Sequence, residues 1–231
     1  MSKFKFIEVN KDLLPKTKGR RVDGHRFYEI DGKNYPSITT VLNIRKKEGL
    51  TKWRESVGEG AANWEMARAA RRCKSTHTLI EQYLKSETPS ERSVLPLGLF
   101  KLLKPYIDQI NNIHLLEAIM YSHKLTVAGQ VDCVAEYNGK LSVIDFKTAN
   151  KERQESWIDN YFLQCTAYAI MYEEIFKKPI EQIVILLAGE DGSVACYKKN
   201  RKDYEESLGK AIKDFYKYYE ELNKDKIPTS K

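Results

Sequence analysis

Two aspartates and one lysine in the middle of the chain have the types and the spacing from which a reactive site could be built. Asp132 lies near the start of one apolar run, and Asp145 and Lys147 lie near the end of the next. The Asn138-Gly139 pair between the runs predicts a hairpin, which would bring these two ends together. Because side chains alternate along a strand, Asp145 and Lys147 are expected to share one face.

This group of charges is costly to bury unless the charges are paired or hold a metal. Hard divalent cations such as Mg²⁺ prefer oxygen ligands, usually one or two carboxylates plus water. Such an ion would polarise a phosphoryl oxygen and lower the pKa of a bound water. Lys147 could hold that water or offset charge developing on the phosphate. The alternative is an ordinary surface pair of Asp145 with Lys147, with Asp132 unrelated to it.

The elements that position these residues are predicted from apolar periodicity. The hairpin strands span 131–137 and 141–146, and Gly129 precedes the first of them. Period-two patterns predict further strands at 116–122, 124–127, 180–187 and 194–198. Helical spacing predicts helices over 50–85, with a break near Gly58, and over 96–112, 155–176 and 202–223. This order predicts one α/β domain with a mixed sheet flanked by helices.

The segment before the first long helix carries weaker signals. A short hairpin is predicted around 27–33, with its turn at Asp31-Gly32. Residues 37–42 fit either a short strand or the start of a helix capped by Ser37. These signals leave the secondary structure of the N-terminal part open.

The composition is that of a globular domain with an excess of positive charge. The net charge of the 231 residues is +7, which favours a polyanionic partner. No apolar run approaches the length of a membrane span, so no membrane association is expected. Residues 1–34 show neither a signal peptide nor an Arg-rich amphipathic presequence. The predicted location is therefore the cytoplasm of a bacterial or phage-infected cell, and a mitochondrial location stays open.

Three motifs in one order resemble the PD-(D/E)XK nuclease superfamily, in its RecB-type branch and most closely the mitochondrial genome maintenance exonuclease group. The motifs are Gly129-Gln130-Val131-Asp132, Asp145-Phe146-Lys147-Thr148 and Gln164-Cys165-Thr166-Ala167-Tyr168. His77 on a preceding helix, Trp53, Glu117 and the segment 35–42 also match. The sequence departs from the group at Cys73, where a glycine is usual. The resemblance covers roughly residues 35–220.

The resemblance implies a restriction-endonuclease-like α/β fold within a single nuclease domain spanning 1–231. Its parts would be an N-terminal extension over 1–34, a mainly helical DNA-binding arch over 35–112 and a catalytic α/β core over 113–223. A related branch carries an iron–sulfur cluster on four cysteines. The cysteines of this chain lack the close spacing of such a site, so no cluster is predicted; they are Cys73, Cys133, Cys165 and Cys196.

The resemblance also implies a metal shell and a catalytic lysine. Asp132, Asp145, the backbone carbonyl of Phe146 and His77 would hold Mg²⁺ or Mn²⁺, and Lys147 would be the catalytic lysine. For His77 the alternative is an intrahelical pair with the glutamate four residues later. Glu117 is a candidate second carboxylate, and a plain charge on a strand face is about equally favoured.

Two helix residues and two that follow the lysine complete the implied site. Gln164 and Tyr168 face the same side of their helix and would support Lys147 and the DNA backbone. For Tyr168 alone, an ordinary core position is the favoured alternative. Thr148 and Lys151 would contact phosphate, although Lys151 is nearly as well explained as a solvated surface lysine.

Basic side chains around the first helices are expected to bind single-stranded DNA. They are Arg45, Lys46, Lys47, Lys52 and Arg54 around the first helix, and Arg68, Arg71, Arg72 and Lys74 just before His77. Trp53 and Trp64 are interleaved with them, and aromatic faces suit unpaired bases. The alternative is a solvated helix face with the tryptophans in the core, which we favour for the tryptophans.

The leading functional hypothesis is a divalent-metal-dependent DNA exonuclease that acts as a monomer on single-stranded DNA or flap ends and leaves a 5′-phosphate. One alternative is a structure-selective endonuclease of the same superfamily. Another is a non-catalytic DNA-binding accessory protein of recombination. The intact set of Asp132, Asp145 and Lys147 argues against this last alternative.

Overall fold

The computed structural model describes residues 3–22 and 24–224, and within these residues the chain forms two β-sheets and six α-helices. The small sheet contains β1 (Arg20–Val22), β2 (His25–Ile30) and β3 (Lys33–Pro36). The large sheet contains β4 (Ile110–Ser122), β5 (Val127–Tyr137), β6 (Lys140–Ala149), β7 (Gln182–Gly189) and β8 (Val194–Asn200). The helices are α1 (Ile38–Asn43), α2 (Lys47–Val57), α3 (Glu59–Leu84), α4 (Val94–Ile107), α5 (Asp159–Phe176) and α6 (Glu205–Lys224).

The large sheet is mixed, as the sequence predicts. Its strands follow the order β4-β5-β6-β7-β8, and only the β6–β7 pair within it is parallel. A parallel pair cannot be joined by a tight turn and needs a crossover, which α5 supplies. The crossover runs from the end of β6, where Lys147 lies, through residues 150–158 to the start of α5.

The alternating side chains of β7 explain why both faces of the large sheet are covered. Ile183, Ile185 and Leu187 pack with α5 and α6, whereas Val184 and Leu186 pack with α3 and α4. All five are at most 2 % exposed. A strand buried on both faces has to be apolar throughout, as this one is. The result is a three-layer α/β arrangement with helices on each side.

The turns of the two predicted hairpins follow from residues that tolerate positive φ. Asn138 and Gly139 have φ values of 50° and 74° between β5 and β6. Asp31 and Gly32 have φ values of 50° and 72° between β2 and β3. Positive φ at both central positions matches the twist of the flanking strands. Gly58, at φ 84°, separates α2 from α3 and is the predicted helix break.

Some elements differ from the sequence-based expectation, and the choice left open at 37–42 is settled as a helix. Residues 124–127 are not a separate strand: the chain turns there, and β5 begins at Val127. The helix predicted over 96–112 ends at Ile107, because Ile110 already pairs with Tyr137 in the sheet. Residues 38–43 are helical. β1 was not predicted, since three exposed residues carry no apolar alternation.

None of the helices in the described ranges is long and apolar enough to cross a lipid bilayer.

Candidate active site

The site lies where β5 and β6 separate. Their pairing ends at Cys133 opposite Ile144, although both strands continue beyond this point. The carboxylate of Asp132 occupies the gap and accepts the backbone N–H of Phe146 at 2.9 Å. The Asp132 carboxylate therefore replaces the backbone acceptor that a paired strand would offer to Phe146.

Asp145 and Lys147 share one face of β6, as predicted, and form an ion pair. Asp145 is 1 % exposed, and apart from this pair neither of its carboxylate oxygens has a hydrogen-bond partner among the described residues. Burial raises the pKa of Asp145 to about 6, although the Lys147 charge opposes this. Burial disfavours the Lys147 ammonium, but the charges of Asp145 and Asp132 outweigh it and raise the pKa of Lys147. Lys147 is therefore a protonated donor at neutral pH.

His77 reaches the same gap from α3. Its Nε2 lies 2.8 Å from the Phe146 carbonyl oxygen, which can only accept, so Nε2 carries the proton. Its Nδ1 lies 3.7 Å from Asp132 Oδ2 and 4.0 Å from Glu117 Oε1. Burial disfavours the imidazolium, but the charge of Asp132 and a hydrogen bond with Cys73 raise the pKa of His77 to about 10. The alternative partner, Glu81, pairs with a lysine one turn further along instead.

Glu117 adds a carboxylate from β4 and holds an unusual backbone conformation. Its φ is 50°, in the left-handed region that a strand residue rarely adopts. Gln130 Nε2 donates to Glu117 Oε2 at 2.7 Å and orients the side chain. Burial, followed by the nearby charge of Asp132, raises the pKa of Glu117 to about 7. The kink thus directs an acid towards Asp132 at a cost in backbone strain.

These side chains fit a divalent cation. Ligand atoms of His77, Glu117 and Asp132 all lie within 4.8 Å of one another. The mixed nitrogen and oxygen donors of these three residues suit a hard or borderline ion. Asp145, predicted as a ligand, lies outside this group and is paired with Lys147. Metal-binding histidines usually donate the other ring N–H to a carbonyl or carboxylate, and His77 does so. The Phe146 carbonyl, predicted as a ligand, serves here as this acceptor.

Gln164 and Tyr168 lie together on α5 behind the site. Gln164 Nε2 donates to the Tyr168 hydroxyl at 3.3 Å, and both side chains are buried. Tyr168 packs against Gly129, where a Cβ would meet the ring at 2.8 Å and the hydroxyl at 2.9 Å. The glycine of the first motif is therefore required by the tyrosine of the third. Tyr168 also belongs to the apolar core, as expected of the alternative in which it is an ordinary core residue.

Arg72, predicted to contact DNA, is instead an internal clamp. Only 5 % of its side chain is exposed. It forms an ion pair with Glu190, which follows β7, and donates to Asn150 Oδ1 at 2.5 Å and Thr148 Oγ1 at 3.2 Å. The clamp joins α3 to the ends of β6 and β7, one and a half turns before His77. Arg72 thus fixes the helix that carries His77, and Thr148 is one of its acceptors.

The other predicted DNA contacts divide into engaged and exposed side chains. Arg68 pairs with Glu190 at 2.9 Å and lies over the Trp64 ring, and Arg54 donates to Asn63 at 2.8 Å, which joins α2 to α3. The exposed group comprises Lys52, Arg71, Lys74 and Lys151. Trp64 is 59 % exposed and Trp53 is partly exposed, so the expected core position of these tryptophans is wrong. The first half of α3 packs on α2 and leaves them uncovered.

Sequence reasoning missed Glu190 and Tyr161 as neighbours of the site. Glu190 directly follows the buried strand β7, and a charged residue at the carboxyl end of a strand parallel to β6 was an available signal. Tyr161 on α5 lies under Lys147, with the ammonium 5.0 Å from the ring centre. Its position one turn before Gln164 was a second such signal.

Comparison with known proteins places the chain in a family. The profile of the PD-(D/E)XK nuclease superfamily matches residues 29–230. The chain belongs to this superfamily, and the family predicted from the three motifs is confirmed. Mitochondrial genome maintenance exonuclease 1 from Homo sapiens is 30% identical over 175 residues, covering 69% of this chain and 51% of the relative. The Mus musculus protein of the same name is 28% identical over 181 residues, covering 72% and 53%. The chain thus spans about half the length of these curated relatives.

Proposed function

We propose that this chain is a divalent-metal-dependent DNA exonuclease that hydrolyses phosphodiester bonds at the ends of single strands or flaps. The observation that carries the proposal is the group of His77, Glu117 and Asp132 in the gap between β5 and β6, together with the buried ion pair of Asp145 with Lys147 on β6. Membership of a nuclease superfamily supports the reaction class, and the names of the relatives support an exonuclease.

Each residue has a role that follows from its contacts. His77, Glu117 and Asp132, with Asp145 beside them, would hold Mg²⁺ or Mn²⁺, which supplies Lewis-acid stabilisation of a phosphoryl oxygen and an acidified water. Lys147 remains protonated and offers its N–H groups to charge that develops on the phosphate. Gln164 and Tyr168, buried on α5 and hydrogen-bonded to each other, would support Lys147.

The preference for single strands rests on the surface next to the gap. Trp64 is exposed, and Lys52, Arg71 and Lys74 are exposed on α2 and α3. Single-stranded DNA combines phosphates with unpaired bases, so it is bound by cations interleaved with aromatic rings. We propose that α2 and α3 form an arch that admits a strand end, within a single nuclease domain whose extension, arch and core have the bounds predicted from the sequence. The protein is proposed to act as a monomer, and its cytoplasmic location stays a prediction.

Digestion of matched linear and circular single strands tests the proposal. End-labelled linear DNA is expected to disappear with Mg²⁺ or Mn²⁺ and to persist in EDTA, whereas a closed circle of the same sequence stays intact. Cleavage of the circle would favour an endonuclease. Binding without any turnover in either metal would favour an accessory protein and contradict the proposed reaction.

A further inference from the structure

Tyr161 is shared between the catalytic lysine and a second lysine from outside the motifs. The Lys147 ammonium lies 5.0 Å from the centre of the Tyr161 ring, and the Lys46 ammonium lies 5.3 Å from it. Lys46 ends the short 3₁₀ turn Ile44–Lys46 between α1 and α2. Two cations thus lie within reach of one ring, one inside the site and one at its margin.

The turn that carries Lys46 is fixed to the start of α5. Asn160 Nδ2 donates to the Leu42 carbonyl at 3.0 Å and thereby holds the last turn of α1. Arg45 donates to Asn160 Oδ1 at 2.9 Å and to Asp159 Oδ2 at 3.2 Å. Because Asn160 and Tyr161 are consecutive, the contacts that hold Arg45 also set Lys46 over the ring. The position of Lys46 is therefore built into the fold.

Positive charge at this margin is not neutralised by nearby acids. Among the described residues, no carboxylate lies within 4.0 Å of Lys46 or Arg153, in contrast to Arg45. Partial burial and the positive charges of Arg153, Lys147 and Arg45 lower the pKa of Lys46. Like charges at close range destabilise one another unless an anion lies between them. The arrangement therefore favours a bound anion next to Lys147.

An exposed aromatic ring lies close to Tyr161 in the chain. Trp157 precedes Tyr161 by four residues, in the 3₁₀ turn Glu155–Trp157, and it is 55 % exposed. An indole face beside cations is the combination that accepts a base and its phosphate together.

We propose that Lys46 and Tyr161 form a subsite for the DNA phosphate adjacent to the one that is cleaved, with Arg153 adding positive charge and Trp157 offering a stacking face to the attached base. The subsite rests on the proposed nuclease function, because it takes the same strand as the gap between β5 and β6. It lies on the α1–α5 side of Lys147, whereas His77 and the arch helix α3 reach the gap from the opposite face of the sheet.

Binding and turnover of the Lys46→Gln variant test this subsite. The probe is a fluorescein-labelled oligothymidylate, with anisotropy measured in EDTA and steady-state cleavage measured in Mg²⁺. We expect the Kd and KM to rise about 3- to 10-fold with kcat unchanged. The slope of log K against log salt should become shallower by about 0.7, the value for one lost contact to a single strand. Lys46→Arg should restore the slope.

Three further variants separate the phosphate and base contacts from a general loss of charge. Lys46→Gln combined with Arg153→Gln should double the change in slope. Trp157→Ala should weaken binding without changing the slope, because stacking releases no counterions. Lys101→Gln removes the same charge from an exposed position on α4 and should leave the Kd and the slope at the wild-type values.

The outcomes distinguish the subsite from the function on which it rests. A wild type that binds and cleaves DNA, with a Lys46→Gln variant of unchanged Kd and slope, overturns the subsite alone. A wild type that binds without cleaving overturns the proposed reaction, and a shallower slope for Lys46→Gln would still support the subsite. A wild type that does not bind the oligothymidylate at all overturns both.

Discussion

The two sides of the site are held in different ways. On the sheet side, Asp145 is fixed by its register with Ile185 of β7 and is only 1 % exposed, and Asp132 is buried and held by its hydrogen bond to the Phe146 N–H. On the helix side, α2 and the first half of α3 are joined by polar contacts, and Trp64 there is 59 % exposed. The acidic side chains are therefore placed by backbone geometry, whereas the proposed DNA-binding surface consists of exposed side chains. Substitutions on the two sides should have effects of different kinds and sizes.

Substitution of Arg72, which joins the two sides, should reduce the stability of the protein more than the other substitutions proposed below. Arg72→Met leaves Glu190 without its buried partner and frees α3, which carries His77. Removing one member of a buried ion pair costs about 3–5 kcal/mol when the remaining charge is left unpaired. Because Glu190 keeps Arg68 as a partner, we expect a smaller loss of about 2–3 kcal/mol in the free energy of unfolding. Urea titration followed by circular dichroism measures it.

Arg68→Met is the matched control for the clamp. Arg68 contacts the same glutamate, but its side chain is 28 % exposed, and exposed pairs contribute about 0–1 kcal/mol. Equal losses in the two variants would show that Arg72 is not a buried clamp and would remove the difference between the two sides of the site.

Much of the sheet side could be predicted from the sequence, because its determinants are local. Asn138-Gly139 sets the hairpin, and the hairpin alone brings Asp132 to Asp145 and Lys147. The ion pair of Arg72 with Glu190 joins residues 118 positions apart, and no local pattern specifies it. Trp64 has the helical spacing of a core residue, yet packing leaves it exposed. Tertiary contacts, rather than periodicity, decide the helix side.

A close contact on the sheet side offers the next test. Gly129→Ala would place a methyl group 2.8 Å from the Tyr168 ring and 3.2 Å from Ile38. Overpacking of this kind costs about 1–3 kcal/mol, and the displaced tyrosine would also lose its contact with Gln164. The melting temperature and the cleavage rate should both fall. Gly98→Ala on α4, where nothing lies within 4 Å, should instead raise stability by about 0.5–1 kcal/mol. A neutral Gly129→Ala would contradict the close packing.

The pH dependence of the metal-free protein tests the buried acid of the site. The folded-state pKa of Glu117 is raised to about 7, above its ordinary value of 4.5, so the folded protein retains this proton longer than the unfolded chain. Stability is therefore lost as the pH rises from about 4.5 through 7. In EDTA, the wild type should lose about 1–2 kcal/mol more than Glu117→Gln between pH 5 and 8.

The affinity for a metal ion should rise with pH over the range in which the stability of the metal-free protein falls. Ligands must release their protons to bind a cation, so Mn²⁺ affinity of the wild type should rise between pH 6 and 8. Isothermal titration in two buffers of different ionisation enthalpy would reveal the proton release. Identical pH profiles for the wild type and Glu117→Gln would show that this carboxyl does not titrate near the metal.

The smallest effect is expected on the exposed helix side. Lys52→Gln removes an exposed charge from α2 and should change the free energy of unfolding by less than about 0.5 kcal/mol. Its effect should appear in DNA binding, where one lost phosphate contact makes the salt slope shallower by about 0.7. An unchanged slope would mean that α2 does not contact the strand, and a large loss of stability would contradict the division between the two sides.

Cleavage by Lys147→Ala in Mg²⁺ is the most direct test of the reaction assigned to this site. Under single-turnover conditions on end-labelled single-stranded DNA, we expect the rate to fall about 10²- to 10⁴-fold, while the protein folds and still binds DNA. Lys140→Ala, at the exposed opposite end of β6, should retain the wild-type rate. Full activity of Lys147→Ala, or of the wild type in EDTA, would contradict the metal-dependent nuclease site proposed in the gap between β5 and β6.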